Sequence, residues 1–387
     1  MIVFDNELLE NTFLLEEAKR LNNQNFISKP QFLNIKQQLV TLKNHNNILI
    51  RIGFFILGTM LFSSIIGVFS MFTLGFGGSH FGIYTFLYTL IGVAASEFLA
   101  RQQNQYGYGL DDAFILGFQG LFCATLGITF ESPMAAFIAL AVIGFVACVR
   151  YVHTLSILLS LIGLTGAICY AVLELKVIDS AYLPFVLFFL ALILYSIYAK
   201  INNDNKFYYY SNPILLLQGF ALLLGYFSMN YLVVRELSES LLHLTIAKGE
   251  DIPFAFLFYG FTFLIPLFYI VYSIYNKDRL MLIIGFLTFG FSIFTIRYYY
   301  HLMPIEAALI LGGILLFAGA YLSIRKLKNK ETGLTFKAAR GSQTDILTNI
   351  EALVVNSQVD LKVPSHSQGD MPFGGGGFSG GGAGESF

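Results

Sequence analysis

Tryptophan is absent from this sequence, and charge is scarce. Only 12% of the 387 residues are Asp, Glu, Lys or Arg, against about 25% in ordinary soluble domains. That shortage excludes a conventional soluble surface. The net charge of −1 gives no argument for a nucleic-acid partner. Cysteine is limited to Cys123, Cys148 and Cys169, each inside an apolar run. No C-x-x-C or Cys/His metal pattern exists, and the three read as buried small hydrophobes. Also missing are H-E-x-x-H, G-x-S-x-G, a P-loop, and clustered carboxylates with a His on the same helix. These absences name no catalytic, cofactor-binding or metal-binding residue, and they turn the reading away from an enzyme. The first 45 residues are polar and mixed in charge, without a signal-peptide pattern, so insertion is expected to begin at the first span.

What is present is apolar length. Hydrophobic residues make up 56% of the chain and the mean hydropathy is +0.68. Apolar runs lie at roughly 50–72, 81–100, 113–130, 134–150, 154–173, 181–199, 213–233, 252–275, 280–297 and 305–324. Each is close to the ~20 residues a membrane helix needs. The expected fold is an all-α polytopic integral membrane protein of about ten transmembrane helices. The run at 134–150 and the connection at 151–153 are the tightest boundaries. Ten spans also fit the charges. With the N-terminus in the cytoplasm, nineteen of the 23 Lys and Arg fall inside and four outside, which favours both termini inside.

Four regions follow: a helical hairpin over 1–46, the membrane domain over 47–324, a basic segment with an amphipathic helix over 325–362, and a Gly/Phe-rich tail over 363–387. In the hairpin, Leu8, Leu14, Leu15, Ala18 and Leu21 share a helical face. Ser28 and Gln31 form a capping box around Pro30, with Ile27 and Phe32 at the staple positions. Two short helices bury little alone, so the hairpin is expected to pack on a partner, on another copy, or on the membrane face. Tyr208–Tyr210 and Tyr298–Tyr300 read as an interfacial belt in place of Trp. The stretch 235–251 reads as an amphipathic helix on the outer face. The glycine-rich "GFGGSHFG" at 75–82 reads as an outer turn, having no strand before it and no Lys.

Two segments look alike: "LGFQGLF" at 116–122 and "LLLQGFA" at 215–221. Each opens a group of four spans, at 113–199 and 213–324, which predicts a parallel internal repeat. Gln119 and Gln218 stand at similar depth and are the candidate intramembrane polar site, as glue between helices or as a substrate lining. Glu97 is expected to pair with Arg101 one turn on. Arg297, His301 and Glu306 form a candidate outer-face cluster, Glu306 suiting the start of the last span. In the tail, glycine prevents a packed core, so Phe373, Phe378 and Phe387 are the candidate partner-binding groups.

"EEAKRLNNQNFIS" followed by Gln31 resembles the opening of an uncharacterised family of bacterial multi-pass membrane proteins with a short cytoplasmic helical segment. The tail "GGGGFSGGGAGESF" resembles the C-terminus of TPM-domain bacterial membrane proteins, often associated with LemA-type partners. It ends in Phe rather than Trp, and no TPM domain is present. The resemblances imply a bacterial inner membrane and transfer no catalytic residue. The first functional expectation is a non-enzymatic protein that binds partners or its own copies through hairpin and tail, with the lipid bilayer around it. The alternative is a small-solute permease with a polar site between repeats, and the third an integral-membrane enzyme.

Overall fold

The computed structural model describes residues 2–45, 47–73, 81–202, 204–242, 251–276 and 278–300, with a few scattered residues between 310 and 325. Within these lie twelve α-helices. They are α1 (Asn6–Asn23), α2 (Lys29–Gln38), α3 (Ile48–Thr73), α4 (Phe81–Arg101), α5 (Leu110–Thr129) and α6 (Pro133–Tyr151). Then come α7 (Thr154–Leu173), α8 (Leu183–Ile201), α9 (Ser211–Met229), α10 (Tyr231–Leu242), α11 (Ala255–Asn276) and α12 (Arg279–Tyr300). Nine of them, α3–α9, α11 and α12, are long and apolar enough to cross a membrane. At 1.5 Å per residue they run roughly 28–39 Å, which matches a hydrocarbon core. The protein is therefore an all-α polytopic membrane protein. The tenth expected span, 305–324, lies almost wholly outside the described residues, as does the amphipathic helix expected after it.

Successive spans pack as antiparallel neighbours: α4 on α5, α5 on α6, α6 on α7, α8 on α9, and α11 on α12. The contact of α7 with α9 joins the two expected groups. The α6–α7 pair is packed closest. A Cβ on Gly144 would lie 2.8 Å from the Ser156 carbonyl oxygen, and one on Gly163 would lie 2.5 Å from the Ala141 nitrogen. Ser160 Oγ donates to the Ala141 carbonyl at 2.7 Å. Lipid gives helices no hydrophobic reason to associate, so small residues and interhelical hydrogen bonds do this work. The two helices are joined only by Val152 and His153. Val152 holds φ 52° and ψ 36°, a left-handed conformation rare for a β-branched residue.

The hairpin packs on the membrane domain. Val3, Phe4, Leu9, Phe13 and Leu42 form one core with Ala100, Ile115, Phe118, Ala147, Tyr151 and Val152. Val3 N–H donates to the Arg150 carbonyl at 2.9 Å. The surface the hairpin covers is formed by the ends of α4, α5 and α6. The buried set on α1 is Leu9, Thr12, Phe13, Leu14, Ala18 and Leu21. Leu8 and Leu15 of the expected face are only half-buried, and Leu9, Thr12 and Phe13 join the buried set, because α1 is covered both by α2 and by the bundle. The capping box forms as expected, Ser28 N–H and Oγ both reaching Gln31 Oε1 at 2.8 and 2.9 Å. Ile27 packs with Leu14, Leu21 and Leu39.

Tyr208 and Tyr209, expected at the membrane boundary, carry Phe13 of the hairpin at ring distances of 5.3 and 5.5 Å. Tyr210 OH donates to the Val149 carbonyl at 2.7 Å. Of the cysteines, Cys148 is buried, while Cys123 and Cys169 are only partly so. The amphipathic helix expected at 235–251 begins earlier, at Tyr231, and is described as far as Leu242. Its Arg235 pairs with Glu239 at 3.3 Å.

Candidate functional site beneath the hairpin

The segment "QYGYGLDD" (105–112) enters α5 through two glycines in left-handed conformations, Gly107 at φ 63° and Gly109 at φ 104°. A Cβ at Gly109 would sit 2.3 Å from the Arg51 carbonyl oxygen, so only glycine fits there. The turn wraps its own backbone around Asp111. The amides of Gly107, Tyr108 and Gly109 donate to that carboxylate at 2.8, 3.0 and 2.9 Å. Both Asp111 and Asp112 are buried in the first turn of α5, where the helix dipole favours negative charge.

Asp112 is bound from two sides. Arg51, in the first turn of α3, places Nε 2.7 Å and Nη2 2.7 Å from Oδ2. His153, between α6 and α7, places Nε2 3.0 Å from Oδ1. The other His153 nitrogen, Nδ1, is 2.8 Å from Ser156 Oγ. Gln119 Nε2 then donates to Ser156 Oγ at 2.7 Å and to the Ile115 carbonyl at 2.9 Å. An amide nitrogen can only donate, so Ser156 Oγ accepts from Gln119, and a carboxylate can only accept, so Asp112 takes the His153 Nε2–H. The chain thus runs unbroken from Gln119 to Asp112, with Arg51 facing the carboxylate. The left-handed Val152 lets His153 leave α6 and reach back to α5 within two residues.

This chain borders a cavity of about 220 Å³. Glu16, His45 and Phe4 face it from the hairpin segment, Arg51 from α3, Tyr106, Asp111 and Asp112 from α5 and its approach, His153 from the α6–α7 joint and Asn212 from α9. Lys43 N–H donates to the Asn104 carbonyl at 2.8 Å, and Tyr106 N–H to the Lys43 carbonyl at 3.0 Å, closing the roof over the loop. His45 stacks on Phe54 and leans on Tyr108, and its buried Nε2 has no partner among the described residues. Burial raises the Glu16 carboxyl above its usual range, against the pull of Lys19 and Arg51. Burial likewise pushes the Tyr106 hydroxyl up, and the Glu16 charge adds to it. Tyr106 is therefore neutral throughout the physiological range. Among the described residues no group of three or more His, Cys, Asp and Glu could hold a metal ion.

The expected site residues fall in different places. Gln119 ends the chain just described, and its Oε1 has no partner among the described residues. Gln218 is equally buried, but its Nε2 donates to Asp278 Oδ2, in the joint before α12. Its Oε1 also lacks a partner among the described residues. Each glutamine thus bonds within its own helix group, and neither borders the cavity. Glu97 pairs with Arg101 at 3.0 Å as expected, and also with Arg150 and with Tyr151 OH at 2.9 Å. Arg297 lies in the last turn of α12. His301 and Glu306, the other members of that cluster, lie outside the described residues, as do Phe373, Phe378 and Phe387.

Sequence reasoning missed Asp112, His153, Ser156 and Arg51, because it looked for a carboxylate and a His on one helix. Here they are 41 residues apart and meet across three helices. The available signal was "DD" opening one apolar run and "HTLS" opening another at the same membrane face. No family model, curated protein or solved structure matches the chain, so its function rests on this geometry.

Proposed function

We propose that the protein is a small-solute permease whose solute binds in the cavity beneath the hairpin. The observation that carries this reading is that cavity, about 220 Å³, bordered by Glu16, His45, Arg51, Asp111, Asp112 and His153 and continued inward by the His153–Ser156–Gln119 chain. A buried ionisable pair in a membrane bundle is a functional centre by default. Glu16, Asp111 and Asp112 outnumber Arg51, so the field favours a small positively charged solute. The 19-to-4 division of Lys and Arg supports a cytoplasmic hairpin face, and the resemblances support a bacterial inner membrane.

A parallel repeat adds to this reading. Gln119 on α5 bonds to Ser156 at the start of α7, and Gln218 on α9 bonds to Asp278 just before α12. In both groups the first helix is tied by a glutamine to the beginning of the third. Parallel repeats are a common plan for transporters. Assembly through the tail stands as a separate proposal. The hairpin contributes less to it than the sequence implied, because the apolar face of α1 is already covered by the bundle.

The test is uptake into proteoliposomes of the full chain, with a panel of small amines, amino acids and neutral polyols. Saturable uptake of a cationic solute, abolished by His153→Ala with unchanged detergent elution, is the expected result. If no solute enters faster than in empty liposomes, the permease reading fails.

A further inference from the structure

We infer that the groove between the hairpin-side ends of α4 and α6 holds the headgroup and upper acyl chain of an anionic phospholipid. The groove has a volume of about 640 Å³ and is separate from the cavity beneath the hairpin. It is lined by Glu97, Arg101 and Arg150 at its upper end, with Phe98 beside them, and by Val93 and Ala94 about one turn deeper on α4 than Glu97.

The charges do not cancel. A single carboxylate, Glu97, receives Arg101, Arg150 and the Tyr151 hydroxyl. Both arginines meet it through Nε. Two guanidiniums that cannot lose their protons therefore face one carboxylate, leaving one positive charge at the edge of the hydrocarbon. Planar guanidinium forks suit phosphate oxygens. Arg101 is 61% exposed and Arg150 35%, so a ligand can reach both.

The lower part selects between anion sources. Val93 and Ala94 form it, and the Phe98 side chain is exposed. Free phosphate would use only the upper part. A phospholipid uses both, its phosphate on the arginines and its chain along the apolar strip. Basic pockets between spanning helices at a membrane face are a recurring form of headgroup recognition.

The test is native mass spectrometry of the full chain released from nanodiscs containing equal phosphatidylglycerol and phosphatidylcholine of matched chains. The expected result is preferential retention of phosphatidylglycerol. Arg101→Gln should lower that preference about fivefold, and Arg101→Lys should restore part of it. Arg20→Gln makes the same charge change on the hairpin and should leave the preference intact. Equal loss in Arg20→Gln, no loss in Arg101→Gln, or displacement of the lipid by inorganic phosphate would each overturn the inference. Because Arg101 is exposed, its replacement should leave the fold unaffected.

Discussion

The two helix groups solve the same problem differently. In the first, α5–α8, polar groups at the hairpin face are ionic: Asp112, met by Arg51 of α3, and His153 continue into Ser156 and Gln119. In the second, the larger network sits at the opposite face and is neutral. Asn230 Nδ2 donates to Tyr226 OH at 2.9 Å and to Thr295 Oγ1 at 3.1 Å, and Tyr226 OH meets Ser292 Oγ at 2.9 Å. Ser292 Oγ donates on to the Thr262 carbonyl at 2.6 Å. Amides and hydroxyls that satisfy one another tie α9, α11 and α12 together. Ions in a membrane bundle are harder to keep, and the first group keeps its buried pair, Asp112 and His153, beneath a roof. The difference teaches where chemistry can occur: the neutral network is glue, and the ionic one borders a cavity.

The largest expected effect tests the ionic network. Asp112→Ala leaves the buried His153, and the partly exposed Arg51, without their carboxylate and should cost about 1–3 kcal/mol, read as a fall in thermal unfolding temperature in detergent. Next comes packing. Gly163→Ala in the first group pushes a methyl into the backbone of α6 and should cost about 1–3 kcal/mol. Gly290→Ala in the second group meets open space and should be neutral, or stabilising by up to about 1 kcal/mol from helix propensity. Equal effects of the two substitutions would erase the contrast. Gln119→Leu and Gln218→Leu should each cost about 0.6–2 kcal/mol. Only Gln119→Leu should alter solute uptake, because only Gln119 is joined to the cavity wall through Ser156 and His153.

The smallest effect concerns the roof. The Glu16 carboxyl is raised in the folded protein, so its protonated form is the better fit. Its contribution is fully present below the unfolded carboxyl range of about pH 4. It is lost as the pH rises through the raised value. Proteolytic protection of the hairpin should therefore decline slightly on raising the pH through the weakly acidic range. Glu16→Gln should flatten that decline. Glu16 is only partly buried, which keeps the effect small.

Span positions and the hairpin were legible in the sequence, since apolar runs, capping residues and charge counts are local signals. Ser28, Pro30 and Gln31 announce α2 within four positions. The site was not legible, because its contacts depend on which helices are neighbours. Nothing in "VRYVHTLS" says that Val152 turns left-handed, or that His153 then faces Asp112 rather than lipid. The two glutamines were visible as polar residues at matching depth. Their separate partners, Ser156 and Asp278, appear only once each group has folded around its own third helix. Tyr208 and Tyr209 were read as facing the interface because their use as a platform for Phe13 is likewise a tertiary fact.

The two-residue link between α6 and α7 bears on how the chain enters the bilayer. Two residues reach at most about 7 Å, far less than the membrane is thick. The end of α6 and the start of α7 are therefore committed to one side together, and the pair must leave the insertion machinery as a single re-entering unit. Arg150 holds that unit's tip back at the surface. Lengthening the link with a glycine-serine insert would uncouple the two insertion events, and a glycosylation-site reporter placed beyond α7 would show whether the helices then sort independently.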